Sequence, residues 1–158
     1  MIKVMFVCHG NICRSPMAEF LFKDMTEKLN LAHEFKIASS ATSSEEIFNG
    51  VGNPVHPGTV RKLSSVGISC KGKRATKFTA EDYDCYDYII CMDSMNLRNI
   101  LRICGNDSDG KVFKMLSFCN EEADVADPWY TGNFYETYND ISRGLNAFLE
   151  YLRKRQEI

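Results

Sequence analysis

The chain has no long hydrophobic run. Its N-terminal apolar stretch, Ile2 to Val7, ends at His9 and Gly10 after about six residues, too few for a secretion signal or a membrane span, and no later run is longer. The expectation is a cytoplasmic protein. It also lacks a charge excess: 19 basic against 21 acidic residues leave a formal net charge of −2. That provides no general field for nucleic acid or acidic membranes, so any anion must be caught locally. None of the seven cysteines stands in a C-x-x-C pair or at zinc-site spacing to a histidine. Their odd number points to reduced thiols, with no metal and no cofactor. No repeat, linker or low-complexity tract divides the 158 residues, and 44% hydrophobic content supplies an ordinary core for one domain spanning residues 1–158.

Met1 to Val7 is nearly continuously apolar apart from Lys3, the signature of a strand buried on both faces of a parallel sheet. Cys8-His9-Gly10-Asn11-Ile12-Cys13-Arg14-Ser15 follows, and then an amphipathic helix with Met17, Leu21, Met25 and Leu29 four residues apart. Ser15 suits the N-cap and Pro16 the first helical position. The helix should end near Asn30. Phe35 to Ala41 reads as a second strand, and the Ser/Thr/Gly/Asn-rich stretch through Pro54, with Phe48 standing out in it, as a long loop. A helix opens at Pro57, and Gly67 would stop it.

Gly67 to Arg74 nearly matches a nucleotide-binding glycine loop. Arg74 occupies the place of the magnesium-holding hydroxyl, however, and Gly67 follows a helix instead of a strand. A basic, solvated loop is expected there. Thr79 to Asp82 has capping-box spacing. Tyr88 to Met92 is a buried strand, and Asp93 and Ser94 cap the helix after it. Val112 to Leu116 is a fourth strand, Ser117 to Asn133 an aperiodic loop, and a last helix begins at Asn133. Strands alternating with helices specify a single α/β domain, a Rossmann-like four-stranded parallel sheet with helices on both faces. Such sheets bind ligands at the carboxyl ends of their strands, where Cys8 lies.

Residues 8–15, with His9, Gly10, Asn11, Ile12 and Cys13 between a cysteine and an arginine, can close into a cradle of inward N–H groups capped by a helix N-terminus. A free thiol is only a few per cent ionised at neutral pH. The N–H groups, the helix terminus, the Arg14 guanidinium and the Ser15 hydroxyl all favour the thiolate. The planar fork of Arg14 can also hold two oxygens of a phosphoryl group through its transition state. Gly10 allows close approach, and Asn11 suits a left-handed turn that pins the loop. Attack by Cys8 on a phosphate ester requires an acid for the leaving oxygen. Asp127, on the long loop before Pro128, is the candidate. Trp129 and Tyr130 beside it, with Phe48, would wall a phenyl-sized group. His9 reads as a rim residue, and the remaining cysteines, His33 and His56 as structural or exposed.

With Cys8 to Pro16 near the start, Ile90-Cys91-Met92-Asp93 in mid-chain and Asp127-Pro128-Trp129-Tyr130 near the end, the chain resembles the low-molecular-weight protein tyrosine phosphatases over its whole length. The resemblance implies a phosphatase I type fold and a phosphocysteine at Cys8. It implies phosphate binding by Arg14 and an acid-then-base role for Asp127. Asn11, Ser15 and Ser40 would brace the loop, and Cys13 could form a protective disulfide with Cys8. The substrate would be a phosphotyrosine-containing protein or a small aryl phosphate, without a nucleic-acid or membrane partner. His9 and Lys73 depart from the residues most common at their positions. Two alternatives stay open: a thioredoxin-coupled arsenate reductase of the same fold, opposed by the lack of a cysteine between Cys91 and Cys104, and a phosphate-binding module without turnover.

Overall fold

The N-terminal apolar run becomes an interior strand because both of its faces and both of its edges are covered. In the computed structural model, which describes residues 1–158, β1 (Ile2–Cys8) is followed by α1 (Arg14–Lys28) and β2 (Phe35–Ala41). Two short strands, β3 (Ile47–Phe48) and β4 (Val51–Gly52), precede α2 (Pro57–Ser65), α3 (Ala80–Cys85) and β5 (Tyr88–Cys91). The chain ends with α4 (Ser94–Cys104), β6 (Val112–Lys114), α5 (Pro128–Thr131) and α6 (Phe134–Lys154). The main sheet is wholly parallel, in the order β2-β1-β5-β6. Cys8 pairs with Ala41 on one side, and Val7 with Cys91 on the other.

Period-two alternation divides β1 between two apolar layers. Val4, Phe6 and Cys8 face the larger layer with Met17, Leu21 and Phe22 of α1 and Leu145, Phe148 and Leu149 of α6. Met5 and Val7 face the smaller one, with Phe78, Tyr83 of α3 and Ile100 of α4. Phe22 lies 5.8, 5.2 and 5.6 Å from the rings of Phe6, Phe35 and Phe148, tying α1, the sheet and α6 together. Each such buried phenylalanine contributes about 1.5–3 kcal/mol. The chain turns from β1 toward β2 on one side and returns for β5 on the other. The gap between the carboxyl ends of β1 and β5 is therefore the switch point at which these sheets open a crevice.

Local signals account for most element ends. Asn30 (φ 58°) and Gly67 (φ 80°) take left-handed conformations after α1 and α2. Capping boxes at Thr79/Asp82 and Asp93/Asn96 start α3 and α4, and Asn133 caps α6 through the Glu136 amide.

Some elements differ from expectation. Residues 42–54 are not a featureless loop, because β3 and β4 form a hairpin around Asn49 (φ 50°) and Gly50 (φ 77°). Two consecutive positive-φ residues give the turn whose twist matches paired strands. The last strand stops at Lys114, and Met115–Cys119 tightens into a 3-10 turn. The aperiodic segment contains the one-turn helix α5. The cap of α1 is Cys13, without a side-chain bond, because the Ser15 hydroxyl is turned inward toward the preceding loop.

Candidate active site

The loop between β1 and α1 bends back on itself with its carbonyls outward. Thr42 and Ser43 amides donate to the carbonyls of Cys8 and His9, the His56 amide to Ile12, and the Met17 amide and Thr59 hydroxyl to Cys13. The amides of residues 9–13 donate to no backbone carbonyl and no side chain, whereas the Ser15 amide points at Cys8 Sγ at 3.4 Å. A ring of unspent donors around a sulfur forms an anion cradle. Asn11 makes the turn possible with φ 59°, and its side chain is buried. Gly10 needs no left-handed conformation; its constraint is space, since a Cβ there would lie 3.2 Å from Glu46 Cγ.

Cys8, His9, Gly10, Ile12, Cys13 and Arg14 line a cleft of about 350 Å³ together with Glu45, Glu46, Asp127, Trp129 and Tyr130. Cys8 is buried at its floor, with the Ser15 hydroxyl 3.0 Å from Sγ. Arg14 is only 3% exposed and is fixed from the opposite side of the switch point. Its Nη1 donates to Asp93 Oδ2 at 2.8 Å and to the Val125 carbonyl at 2.9 Å, and its Nη2 to Asp127 Oδ2 at 3.4 Å. Burial alone would lower the Arg14 pKa, but the sulfur of Cys8 and the carboxylates of Asp93 and Asp127 raise it overall. The guanidinium thus stays charged and aimed, with part of its fork free for an oxyanion. Burial first, and then the neighbouring Cys8 and Asp127, push the Cys13 thiol up to about 12, so Cys13 remains protonated near neutrality. All seven cysteines are free thiols.

Asp127 is brought to the cleft by the segment after β6. The Val125 amide donates to the Met92 carbonyl, Thr137 Oγ1 donates to the Ala126 carbonyl, and Lys114 Nζ holds Asp124 Oδ1 at 2.6 Å and the Glu122 carbonyl at 2.7 Å. Asp127 Oδ1 caps α5 by accepting from the Trp129 amide at 3.0 Å, leaving Oδ2 toward Arg14 and the cleft. Trp129 packs edge-on against His56 at 5.7 Å, and His56 stacks on Phe134 at 5.3 Å, so the exposed indole has a fixed backing. Tyr130 extends into solvent, 85% exposed.

Not every expected residue reaches the site. Phe48, on β3, is 65% exposed and does not line the cleft. Ser40 lies on the opposite face of β2. Its hydroxyl donates to Met5 Sδ, and only its carbonyl meets Ser15 Oγ, at 3.5 Å. Asn11 Nδ2 donates instead to the hydroxyls of Ser15, at 2.8 Å, and of Ser39 on β2, at 2.9 Å. Lys71, Gly72 and Arg74 are solvated as anticipated, whereas Lys73 turns inward to the Ser39 carbonyl at 3.0 Å. His9 sits on the rim with Nε2 3.0 Å from Glu45 Oε2. Asp93, Glu45, Glu46 and Ser39 are the site's additions to the sequence reading.

Comparison with known proteins places these features in a family context. A family model described as low molecular weight phosphotyrosine protein phosphatase matches residues 3–157. The chain is 38% identical over 160 residues to the low molecular weight protein-tyrosine-phosphatase YfkJ of Bacillus subtilis, covering 100% of both. It is 39% identical over 155 residues to PtpA of Staphylococcus aureus, covering 98% of this chain and 96% of PtpA. The YfkJ crystal structure superposes with a TM-score of 0.91 over 98% of this chain and 96% of that one. SP-PTP of Streptococcus pyogenes, 39% identical, gives 0.84 over 96% and 93% of the two chains.

Proposed function

The chain belongs to the low-molecular-weight protein tyrosine phosphatases, cysteine-based hydrolases of phosphoprotein or aryl phosphate esters, and from that membership we propose that Cys8, Arg14 and Asp127 carry its catalysis on phosphotyrosine. The observation that supports this most is the convergence of a sulfur, free loop amides, a guanidinium and a carboxylate on one cleft.

The phosphoryl group enters with its equatorial oxygens on the amides of residues 9–13 and on the Arg14 fork. Cys8 Sγ attacks phosphorus, the bond to the ester oxygen breaks, and the Asp127 proton passes to the departing phenolate. Water then attacks phosphorus as the S–P bond breaks, and the Asp127 carboxylate takes the proton that water releases. The Ser15 hydroxyl and amide stabilise the sulfur when it is nucleophile and again when it leaves. Trp129 and Tyr130 offer faces to the aromatic leaving group, and Cys13, held as a thiol, stays out of the displacement. The Cys8–Cys13 disulfide belongs to the same reading as an oxidised, inactive state. So does a cytoplasmic location, in keeping with the absence of any helix long and apolar enough to cross a membrane.

The test is hydrolysis of a phosphotyrosyl peptide beside its phosphoseryl analogue, in chelator, by wild type and Cys8→Ser. Turnover of the first peptide alone, abolished in the variant, is the expected result. Equal turnover in the variant would remove Cys8 from the mechanism. Arsenate reduction with thioredoxin and no ester hydrolysis would transfer the site to the reductase chemistry.

A further inference from the structure

Beyond the aromatic wall of the cleft lies a second, shallower groove. Gly58, Arg61, Lys62 and Ser65 stand three and four residues apart on one face of α2, and that face opposes Asn133, Phe134 and Tyr135 at the start of α6 across about 470 Å³. The two helices meet closely because position 58 has no side chain: a Cβ there would run into the Phe134 ring. Phe134 stacks on His56 at 5.3 Å, and His56 meets Trp129 edge-on at 5.7 Å. The three rings form a partition, with Trp129 on the cleft side and Phe134 on the groove side.

The two sides of the partition differ in charge. No carboxylate lines the groove. Lys62 Nζ lies over the rings of Tyr135 and Tyr138, 4.9 and 4.6 Å from their centroids, so its ammonium is held in place without a counter-ion. Arg61 beside it is exposed. Neither forms an ion pair, whereas Arg143, Arg153 and Arg155 near the end of the chain each reach a carboxylate. The cleft, in contrast, carries Glu45 and Glu46 from the turn before β3. Glu45 is exposed beside His9, and Glu46 is held by Asn53 Nδ2 at 2.7 Å. Acidic groups around a bound phosphate ester are therefore repelled where Glu45 and Glu46 stand and attracted beyond the partition.

We propose that the α2–α6 groove receives acidic side chains flanking the phosphotyrosine of a protein substrate, with Arg61 and Lys62 pairing with their carboxylates. The inference deepens the phosphatase reading and rests on it: the phosphotyrosyl ring lies against Trp129 and Tyr130, and the chain leaving it crosses the partition. An extended segment advances about 3.3 Å per residue, so the two ring-to-ring steps span about three or four residues beyond the phosphotyrosine.

The experiment compares phosphotyrosyl peptides of one length that carry three glutamates after the phosphotyrosine, three before it, or alanines in place of both. Two partly exposed ion pairs are at stake, so the wild-type protein should hydrolyse at least one acidic peptide with kcat/KM about five- to tenfold above the alanine peptide, chiefly through KM. In about 0.5 M salt the advantage should shrink below about twofold. Arg61→Ser/Lys62→Gln should hydrolyse the peptides alike while turning over p-nitrophenyl phosphate, which has no flank to place, within about twofold of wild type. Arg61→Glu, a single exposed change, should favour a lysine-flanked peptide over the glutamate one.

Equal kcat/KM for acidic and alanine peptides in the wild type overturns the proposal. So does a glutamate preference that persists in the double variant or is unchanged in Arg61→Glu. Hydrolysis of every peptide without preference removes this inference alone, whereas failure to hydrolyse any of them removes the phosphotyrosine reading and this inference together.

Discussion

Replacing Asp127 by asparagine separates its chemistry from its structural work. The carboxylate does two things in the free enzyme: Oδ1 caps α5 by accepting from the Trp129 amide at 3.0 Å, and Oδ2 faces Arg14 at 3.4 Å. Asparagine is as good a cap as aspartate, so α5 and the aromatic pair after it should persist. The ion pair that is lost is long and its carboxylate is a quarter exposed, so the expected stability change is below about 1 kcal/mol. Proton donation is a different matter: a positioned general acid is worth about 10²–10⁴-fold, or about 3–5 kcal/mol of barrier. The loss should scale with the basicity of the leaving oxygen. Steady-state kcat/KM for a series from p-nitrophenyl to phenyl and alkyl phosphates measures it, because the step read out is formation of the phosphocysteine. A small loss for p-nitrophenyl phosphate and a loss approaching the upper figure for poor leaving groups is the expected pattern. An equal factor for every ester would refute the acid role, and so would none at all.

Arg14→Lys leaves a charge but no fork to share between Asp93, the Val125 carbonyl and a phosphoryl group, and kcat/KM should fall about 10²–10³-fold while phosphate protects the variant poorly from thermal unfolding. Asn11→Ala loses three side-chain hydrogen bonds and leaves, at φ 59°, a left-handed conformation that alanine tolerates less well than asparagine; chemical denaturation should register a loss of about 2–4 kcal/mol, with Asn11→Gly recovering only the backbone part. Cys13 and Cys91 are both pushed up from the ordinary thiol value of 9.0 to about 12, chiefly by burial. The native state therefore keeps protons that the unfolded chain releases. Their stabilisation is fully present below 9.0 and is lost as pH rises toward 12. Denaturant melts at increasing alkaline pH should show a decline that is shallower in Cys91→Val, by about 1 kcal/mol per pH unit above 9.0.

Much of this architecture was legible in residue order because it depends on local chemistry. A doubly buried strand, helices of regular apolar spacing and caps at Thr79, Asp93 and Asn133 specify an α/β sheet without reference to distant contacts. The eight-residue segment Cys8 to Ser15 was legible for the same reason, since a cysteine, a glycine, an arginine and a helix start stand together in the chain. What escaped depends on which face a residue takes or on what lies across the fold. Ser39 and Ser40 are adjacent and chemically identical, yet the pleat sends one hydroxyl to Asn11 and the other to Met5. Asp93 was recognisable as a helix cap through Oδ1, but its second oxygen meets an arginine 79 residues away. Glu19 looks like a surface partner of Lys23 at helical spacing; only the packing of α1 on β2 buries it beside Lys73. The hairpin turn at Asn49-Gly50 did carry a local signal that the polar composition around it obscured. Phe48 carries the bulk expected of a wall residue, but the hairpin holds it outside the cleft.

If Cys8 carries the phosphoryl group, a phosphorylated thiol must form within each turnover. Mixing wild-type protein with a phosphotyrosyl peptide, quenching within one turnover and mapping the modified residue by mass spectrometry under conditions that preserve thiophosphate tests it directly. Phosphate on Cys8 alone is the expected result, accumulating further in Asp127→Asn with a good leaving group because hydrolysis of the intermediate lacks its base. Turnover of the peptide with no phosphoryl group on Cys8 at any time would contradict it.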